Sequence, residues 1–173
     1  MNIFFITGLQ GSGKTTFLIE LIEILKQKGI TAGGFSAHGY WKNNLRDKFE
    51  LEDLKTGNKM ILCKRQPVEG WQKFRHFYFN PEGFTFGQKA LSSSNLSKVD
   101  IIAIDEIGPF ELEGKGWSKD IDSLIHKTDI PMIWVVRESI LQEIIDHWNI
   151  ESYLVFDIKT ESPEKVADKI LNP

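Results

Sequence analysis

Residues 8–15 constrain the fold more than any other part of the sequence. They spell Gly-Leu-Gln-Gly-Ser-Gly-Lys-Thr and fit G-x-x-x-x-G-K-[ST], the phosphate-binding P-loop. The apolar run at residues 2–7 is typical of a buried strand, and residues 16–28 carry apolar side chains at helical spacing. A strand, a glycine-rich loop and a helix together direct backbone N–H groups and a helix N-terminus at an anion. The sequence therefore predicts a phosphate site at the start of an α/β domain.

The residue types of this loop suit contact with a nucleotide. Glycines let the backbone approach phosphate oxygens, Lys14 brings a positive charge to the β- and γ-phosphates, and the Thr15 hydroxyl is placed to bind Mg²⁺. A glycine turn followed by a surface lysine is the alternative, and the flanking strand and helix argue against it. The predicted phosphate-binding residues are Gly8, Leu9, Gln10, Gly11, Ser12, Gly13, Lys14, Thr15, Thr16 and Arg46.

A second motif lies at residues 101–106, Ile-Ile-Ala-Ile-Asp-Glu, an apolar strand that ends in two acids. This Walker B pattern predicts that Asp105 binds Mg²⁺ together with Thr15, at the carboxyl edge of the sheet where α/β folds bind ligands. Glu106 is predicted to orient and deprotonate an attacking water. A strand that ends in two solvated acids has the same pattern, but its pairing with a P-loop favours the nucleotide site. A water-activating glutamate favours hydrolysis over transfer to an acceptor.

A cation is also expected for the charge that develops on the γ-phosphate. Arg137 directly follows a predicted strand and is the first candidate, although it can instead cap a helix or pair with Glu138. Arg46 is a weaker candidate, and Glu111 is a candidate to brace the metal or the water. The predicted catalytic residues are Glu106, Lys14 and Arg137, and the predicted metal ligands are Thr15 and Asp105.

Composition narrows the class of protein. The 173 residues predict a single domain, 1–173, and the net charge of -3 with no basic stripe gives no electrostatic case for a nucleic-acid partner. Cys63 is the only cysteine, which excludes an internal disulfide and a cysteine-based zinc site; we expect it in the core. No apolar run has the length of a membrane span. We expect a cytoplasmic protein that is a monomer or a weak oligomer.

Hydrophobic periodicity predicts strands that alternate with helices. Such alternation indicates a mostly parallel, twisted sheet flanked by helices on both faces, with a β-hairpin insertion near residues 49–63. Residues 38–46 are predicted to be an exposed loop, and the small residues of the strand before it predict close packing beside the first strand. Strands are predicted at 2–7, 30–37, 49–54, 60–63, 75–79, 98–105, 131–136 and 153–157, and helices at 16–28, 83–91, 117–126, 138–148 and from 163 onward.

These motifs resemble a known family, the small P-loop nucleoside triphosphatases named after a thermophilic member and also called cancer-related nucleoside triphosphatases. The resemblance lies in residues 8–15, in Gly34-Phe35, in residues 46–57 and above all in residues 105–112, Asp-Glu-Ile-Gly-Pro-Phe-Glu-Leu. It implies slow Mg²⁺-dependent hydrolysis of ATP, GTP and other nucleoside triphosphates with little base selectivity. It also implies a RecA-like sheet in which the strand ending at Arg137 separates the P-loop strand from the Walker B strand.

The chain departs from the family pattern at two places. The family usually carries two arginines after the second strand, whereas here Arg46 is in register and Lys42 stands near the other position. Pro109-Phe110 replaces the usual pair of a basic residue and methionine.

Two other functions stay open at this point. A GTP-binding adapter of the molybdopterin-cofactor type shares the P-loop start and the size, but the Asp-Glu pair and the missing Asn/Thr-Lys-x-Asp motif argue against it. A small-molecule or nucleotide kinase usually has an arginine-rich lid, and residues 38–80 are only modestly basic. Base preference is not encoded, because Tyr40, Trp41 and Trp71 can stack on a base or simply pack.

Overall fold

The computed structural model describes residues 2–172, which form one nine-stranded sheet with helices on both faces. The strands are β1 Ile3–Gly8, β2 Ala32–Lys42, β3 Leu45–Asp53, β4 Lys59–Lys64, β5 Gln72–Phe74, β6 Phe77–Phe79, β7 Ile101–Ile107, β8 Met132–Arg137 and β9 Tyr153–Asp157. The helices are α1 Lys14–Gln27, α2 Pro81–Ala90, α3 Pro109–Leu112, α4 Ser118–Lys127, α5 Leu141–His147 and α6 Pro163–Leu171. A short 3₁₀ turn, Glu138–Ile140, precedes α5, so the helix predicted over 138–148 is divided.

The strand order is β5-β6-β4-β3-β2-β7-β8-β1-β9. Strands β2, β7, β8, β1 and β9 form a parallel half, because helical crossovers bring each strand back in the same direction. Strand β8 lies between β1 and β7. This confirms the RecA-like order, in which the strand ending at Arg137 separates the P-loop strand from the Walker B strand.

Two hydrophobic cores fill the space between the sheet and its helices. Along β1 the buried side chains alternate, with Phe4 and Ile6 packed in the core under α1 and α6 and Ile3 and Phe5 in the core under α2, α4 and α5. Alternation of this kind follows from the two-residue period of a strand. The predicted three-layer arrangement is confirmed.

The antiparallel half differs from the prediction. Residues 38–46 are not a loop: β2 runs on to Lys42, and β3 begins at Leu45. Asn43 and Asn44 form the tight turn between them with φ of 50° and 59°, values that suit the two-residue turns of β-hairpins and that asparagine tolerates. The predicted hairpin at residues 49–54 and 60–63 is present, but it belongs to a larger antiparallel extension of the sheet.

Two further predictions need correction. The strand predicted at 75–79 is a small hairpin, in which Arg75 at φ 54° lies in the turn between β5 and β6. The small residues of β2 pack beside β7 and not beside β1. At Gly34 the φ is 88° and an added Cβ would lie 2.0 Å from the Ala103 carbonyl oxygen, so only glycine allows β2 and β7 to approach this closely.

Candidate active site

The P-loop closes around the ammonium group of Lys14. Its Nζ donates to the carbonyl oxygens of Leu9 at 2.8 Å and Gly8 at 3.3 Å, and the Ser12 hydroxyl donates to the same Leu9 oxygen at 2.7 Å. Gly13 caps helix α1 with φ 98°, a conformation that frees the first N–H groups of the helix to face an anion. Burial lowers the pKa of Lys14, and the carboxylates of Glu106 and Asp105 oppose that shift. The lysine therefore lies at the centre of a cradle for phosphate.

Asp105 lies at the end of β7 and is buried. Its Oδ2 accepts a hydrogen bond from the Ala37 backbone N–H at 2.9 Å. Within residues 2–172, Oδ1 is buried and has no hydrogen-bond partner. Burial, with the nearby Glu106 carboxylate, raises the pKa of Asp105 to about 7, and the Thr15 side chain and the Ala37 N–H act in the opposite direction. A buried carboxylate oxygen without a partner, beside a threonine hydroxyl, fits a divalent cation.

Glu106 follows at an irregularity of the sheet. The register between β7 and β8 shifts between Ile104 and Ile107, and Glu106 has φ 61°. Successive side chains of a regular strand point to opposite faces, whereas this bulge lets Asp105 and Glu106 line one cavity. Strain in the backbone at this acid is typical of a functional site.

Arg137 lies beside Glu106 at the same edge of the sheet. Its Nη2 is 3.8 Å from Glu106 Oε2, and its Cα is in register with that of Gly8 on β1. The structure thus brings together the three residues predicted to be catalytic, Glu106, Lys14 and Arg137. The predicted alternative pairing of Arg137 with Glu138 does not occur within the described part of the chain, where Glu138 pairs with Lys159.

Arg46 lies on β3 and faces the P-loop across a cleft of about 340 Å³ that Lys14, Thr15 and Thr16 also line. Its guanidinium lies 4.3 Å from the centre of the Trp41 ring. An added Cβ at Gly39 would lie 2.2 Å from the Arg46 side chain, so this glycine makes room for the arginine. The correction of residues 38–46 from loop to hairpin therefore keeps Arg46 close to the phosphate cradle. Lys42 lies at the exposed tip of the hairpin.

Glu111 holds the loop that follows Glu106. Its Oε2 accepts from the Gly108 N–H at 3.0 Å, and only 3% of the residue is exposed. Burial raises the pKa of Glu111 to about 7, although its backbone hydrogen bonds oppose the shift. This carboxyl lines the same cavity as Asp105 and Glu106, and its hydrogen bond fixes the backbone of the loop after β7.

Some contributors to the site had no sequence signal. The Ala37 N–H that holds Asp105 is a backbone group, and Gly39 matters only because Arg46 packs against it. Cys63 is buried on β4, as expected. Within residues 2–172 there is no group of three or more His, Cys, Asp or Glu side chains arranged to hold a metal. None of the helices in this part of the chain has both the length and the apolar composition of a membrane span.

A P-loop at the end of β1, a Walker B acid at the end of β7 and an intervening strand define a P-loop nucleotide-binding protein of RecA-like topology. The family model described as "NTPase" matches residues 3–171, and the chain belongs to this family.

Curated relatives agree with that assignment, and solved structures share the fold. The chain is 29% identical over 169 residues to nucleoside-triphosphatase THEP1 of Methanocaldococcus jannaschii, covering 97% of this chain and 94% of the relative. It is 32% identical over 160 residues to the THEP1 of Saccharolobus solfataricus, covering 83% and 90%. The fold resembles a human cancer-related nucleoside triphosphatase, with TM-score 0.72, 21% identity and coverage of 99% and 96%. It also resembles THEP1 of Aquifex aeolicus, with TM-score 0.69, 21% identity and coverage of 99% and 98%.

Proposed function

We propose that this chain hydrolyses nucleoside triphosphates to the diphosphate and inorganic phosphate, with Mg²⁺ and with little selectivity for the base. One observation carries the proposal: the bulge in β7 directs both Asp105 and Glu106 into the cavity at the sheet edge, where Arg137 lies 3.8 Å from Glu106. Relatives over nearly the whole chain are named nucleoside-triphosphatases, which supports the same reaction.

Each residue has a task in this reaction. Lys14 and the N–H groups of the P-loop hold the β- and γ-phosphates. Thr15 and Asp105 would hold Mg²⁺, which when bound withdraws charge from the phosphate oxygens. Glu106 accepts a proton from water while the water oxygen forms a bond to the γ-phosphorus. The bond between that phosphorus and the β,γ-bridging oxygen breaks, and the diphosphate leaves. Arg137 neutralises the negative charge that develops on the γ-phosphate.

The assigned residues contact only groups that all nucleoside triphosphates share. In this assignment the P-loop, Thr16 and Arg46 bind phosphates, while Glu106 activates water. This supports low base selectivity. We further propose that residues 1–173 act as one domain, because one sheet runs through both halves of the chain. The cytoplasmic location and the monomeric or weakly oligomeric state stay predictions.

Phosphate release from ATP, GTP, CTP and UTP tests this proposal. We expect similar turnover with all four, loss of Mg²⁺-dependent activity in Lys14→Ala, and a decrease of roughly 10²- to 10⁴-fold in Glu106→Gln. Glu143→Gln removes an exposed acid on α5 and serves as the control, with turnover like the wild type. Hydrolysis by Glu106→Gln at the wild-type rate would show that this acid is not the base, and absence of turnover in the wild type would overturn the proposal.

A further inference from the structure

The cavity that Asp105 and Glu106 line has a volume of about 380 Å³ and lies beside the Arg46 cleft, with which it shares Glu106. Asp105, Glu106 and Arg137 form one end of it. We call it the aromatic cavity, because its lining includes the rings of Phe74, Phe77, Phe79, Phe84, Phe110 and Trp117. Its volume lies within the roughly 300–1,000 Å³ typical of small-molecule sites. Activation of a single water by Glu106 does not require an apolar space of this size.

The rings form a fixed wall in which several of them stack on one another. The rings of Phe79, Phe84 and Phe110 lie 5.5–5.8 Å apart, with interplanar angles of 9–22°. Trp117 donates its indole N–H to the Phe84 carbonyl oxygen at 3.2 Å. An added Cβ at Gly87 would lie 2.4 Å from the same indole, so α2 is docked closely on it. The wall is therefore preformed, which lowers the entropic cost of binding a planar ligand.

The phenyl rings of this wall are only partly buried, although they belong to large apolar side chains. Apolar surface that stays accessible inside a concave site is typical of a ligand-binding site. Aromatic faces and edges favour other aromatic rings over saturated ones of similar size. The geometry thus selects a planar aromatic group.

Charge adds a second selection at the mouth of the aromatic cavity. Arg75 lies there in the turn between β5 and β6, next to His76. Within residues 2–172 the Arg75 guanidinium makes no ion pair with a carboxylate closer than 4.0 Å and lies 5.5 Å from the Phe74 ring centre. An anionic substituent on the ligand would complement it.

We propose that the aromatic cavity binds a planar aromatic anion of one or two rings beside Glu106, at the place from which water attacks the γ-phosphate. The Arg46 cleft, which Gly13, Lys14 and Thr15 line, remains free for the nucleotide, and Gln10 is the one P-loop residue that also lines the aromatic cavity. Binding of the aromatic anion does not depend on the proposed hydrolysis, whereas its effect on turnover rests on that function. A ligand in this cavity displaces water from Glu106, so it lowers kcat and leaves KM for the nucleotide unchanged.

Calorimetric titration with 2-naphthoate tests the binding in the absence of nucleotide. We expect one site per chain and much weaker binding of cyclohexanecarboxylate, which has the same anion on a saturated ring. Phe84→Leu keeps an apolar side chain but removes one ring, so it should lower the affinity for 2-naphthoate by roughly 2- to 10-fold. Arg75→Gln, a change on the surface, should weaken it as well. Tyr153→Leu removes an exposed aromatic on β9, outside the cavity, and should leave the affinity unchanged.

Phosphate release measured with and without saturating 2-naphthoate then tests the placement beside Glu106. The expected result is a lower kcat at constant KM for ATP, reversed in Arg75→Gln. Equal binding of the two carboxylates, affinity unaffected by both Phe84→Leu and Arg75→Gln, or competition with ATP would overturn the proposal. Absence of phosphate release without the ligand would instead contradict the hydrolase function, and the calorimetric result would still decide the aromatic site.

Discussion

We propose that Arg137 acts in the transition state and contributes little to stability. Its guanidinium is 3.8 Å from the Glu106 carboxylate, a separation at which a partly exposed ion pair contributes little to folding. We therefore expect Arg137→Ala to lower kcat by roughly 10²-fold or more, with a small change in KM and an unchanged melting temperature. Steady-state kinetics with ATP check this. Lys159→Ala, which removes the nearby partner of Glu138, is the control and should keep wild-type kcat. An effect confined to KM would show that Arg137 only binds ground-state phosphate.

Glu111 makes stability depend on pH. Its pKa is about 7 in the folded chain against 4.5 for an ordinary glutamate, so the folded state holds its proton over a range in which the unfolded state has lost it. The stabilisation is complete below pH 4.5 and is lost as pH rises through about 7. Between pH 5 and pH 8 the free energy of unfolding of the wild type should fall by about 2 kcal/mol relative to that of Glu111→Gln, whose side chain cannot ionise. Urea unfolding at the two pH values measures this difference. A difference that does not change with pH would contradict the raised pKa.

The position of an individual residue could be predicted from the sequence where a motif fixes its surroundings. Lys14 and Asp105 lie where the motifs place them, because a P-loop and a strand-end acid carry their own local geometry. Arg137 followed from its position at the end of a strand. The Ala37 N–H and the packing of Arg46 on Trp41 depend on how distant strands pair, and no local pattern reports that pairing.

At the scale of elements, the approach of β2 to β7 depends on Gly34. An added Cβ there would lie 2.0 Å from the Ala103 carbonyl oxygen, and φ is 88°. Gly29 is a matched control, because its φ is 86° but no atom lies within 4 Å of an added Cβ. We expect Gly29→Ala to lower the free energy of unfolding by about 1–2 kcal/mol, from backbone strain alone. Gly34→Ala should lower it clearly more, because β7 must also move. Urea unfolding of both variants measures this, and equal costs would contradict the argument.

The same movement should reach the active site. Asp105 is held by Ala37, three residues after Gly34 on β2, so a displaced β2 misplaces the carboxylate. Gly34→Ala should therefore lower phosphate release even where the chain is folded, whereas Gly29→Ala should not. If folded Gly34→Ala released phosphate at the wild-type rate, the position of β2 would not control the Asp105 carboxylate, and this prediction would be wrong.

The hairpin of β2 and β3 shows why the prediction of a loop at residues 38–46 was wrong. Residues 38–46 are polar and aromatic, without a clean two-residue period, and this favours a loop. In the structure both strands extend beyond the core, where the packing of Arg46 on Trp41 and the turn at Asn43 and Asn44 replace burial as the source of pairing. Periodicity detects strands that cover a core, so it fails for strands that leave it.

At the scale of the whole molecule, the two halves of the sheet meet at the active site. The parallel half contributes Lys14, Asp105 and Arg137, while the antiparallel extension contributes Arg46 on one side and part of the aromatic cavity on the other. Alternation of strands and helices predicted the parallel half, and the family resemblance implied the place of β8 between β1 and β7. The extension is built from contacts between neighbouring hairpins, whose register follows from turn and bulge geometry.

A nucleotide that bridges these halves should stabilise the entire chain. Ligand that binds only the folded state at 100 times its Kd adds about 2.7 kcal/mol to the free energy of unfolding. For a chain of this size, that raises Tm by about 5–10 °C. We expect this shift with Mg²⁺ and a non-hydrolysable ATP analogue, and a smaller one without Mg²⁺, because the buried Asp105 carboxylate is then left uncompensated.

Two lysine variants locate the source of that shift. Lys14→Ala should abolish most of it, since the ammonium at the centre of the P-loop is lost. Lys127→Ala removes an exposed lysine at the end of α4 and should retain the full shift. Differential scanning fluorimetry over a range of analogue concentrations measures both. If Lys14→Ala kept the wild-type shift, the analogue would be stabilising the chain from outside the P-loop, and the bridge between the two halves would have to be placed elsewhere.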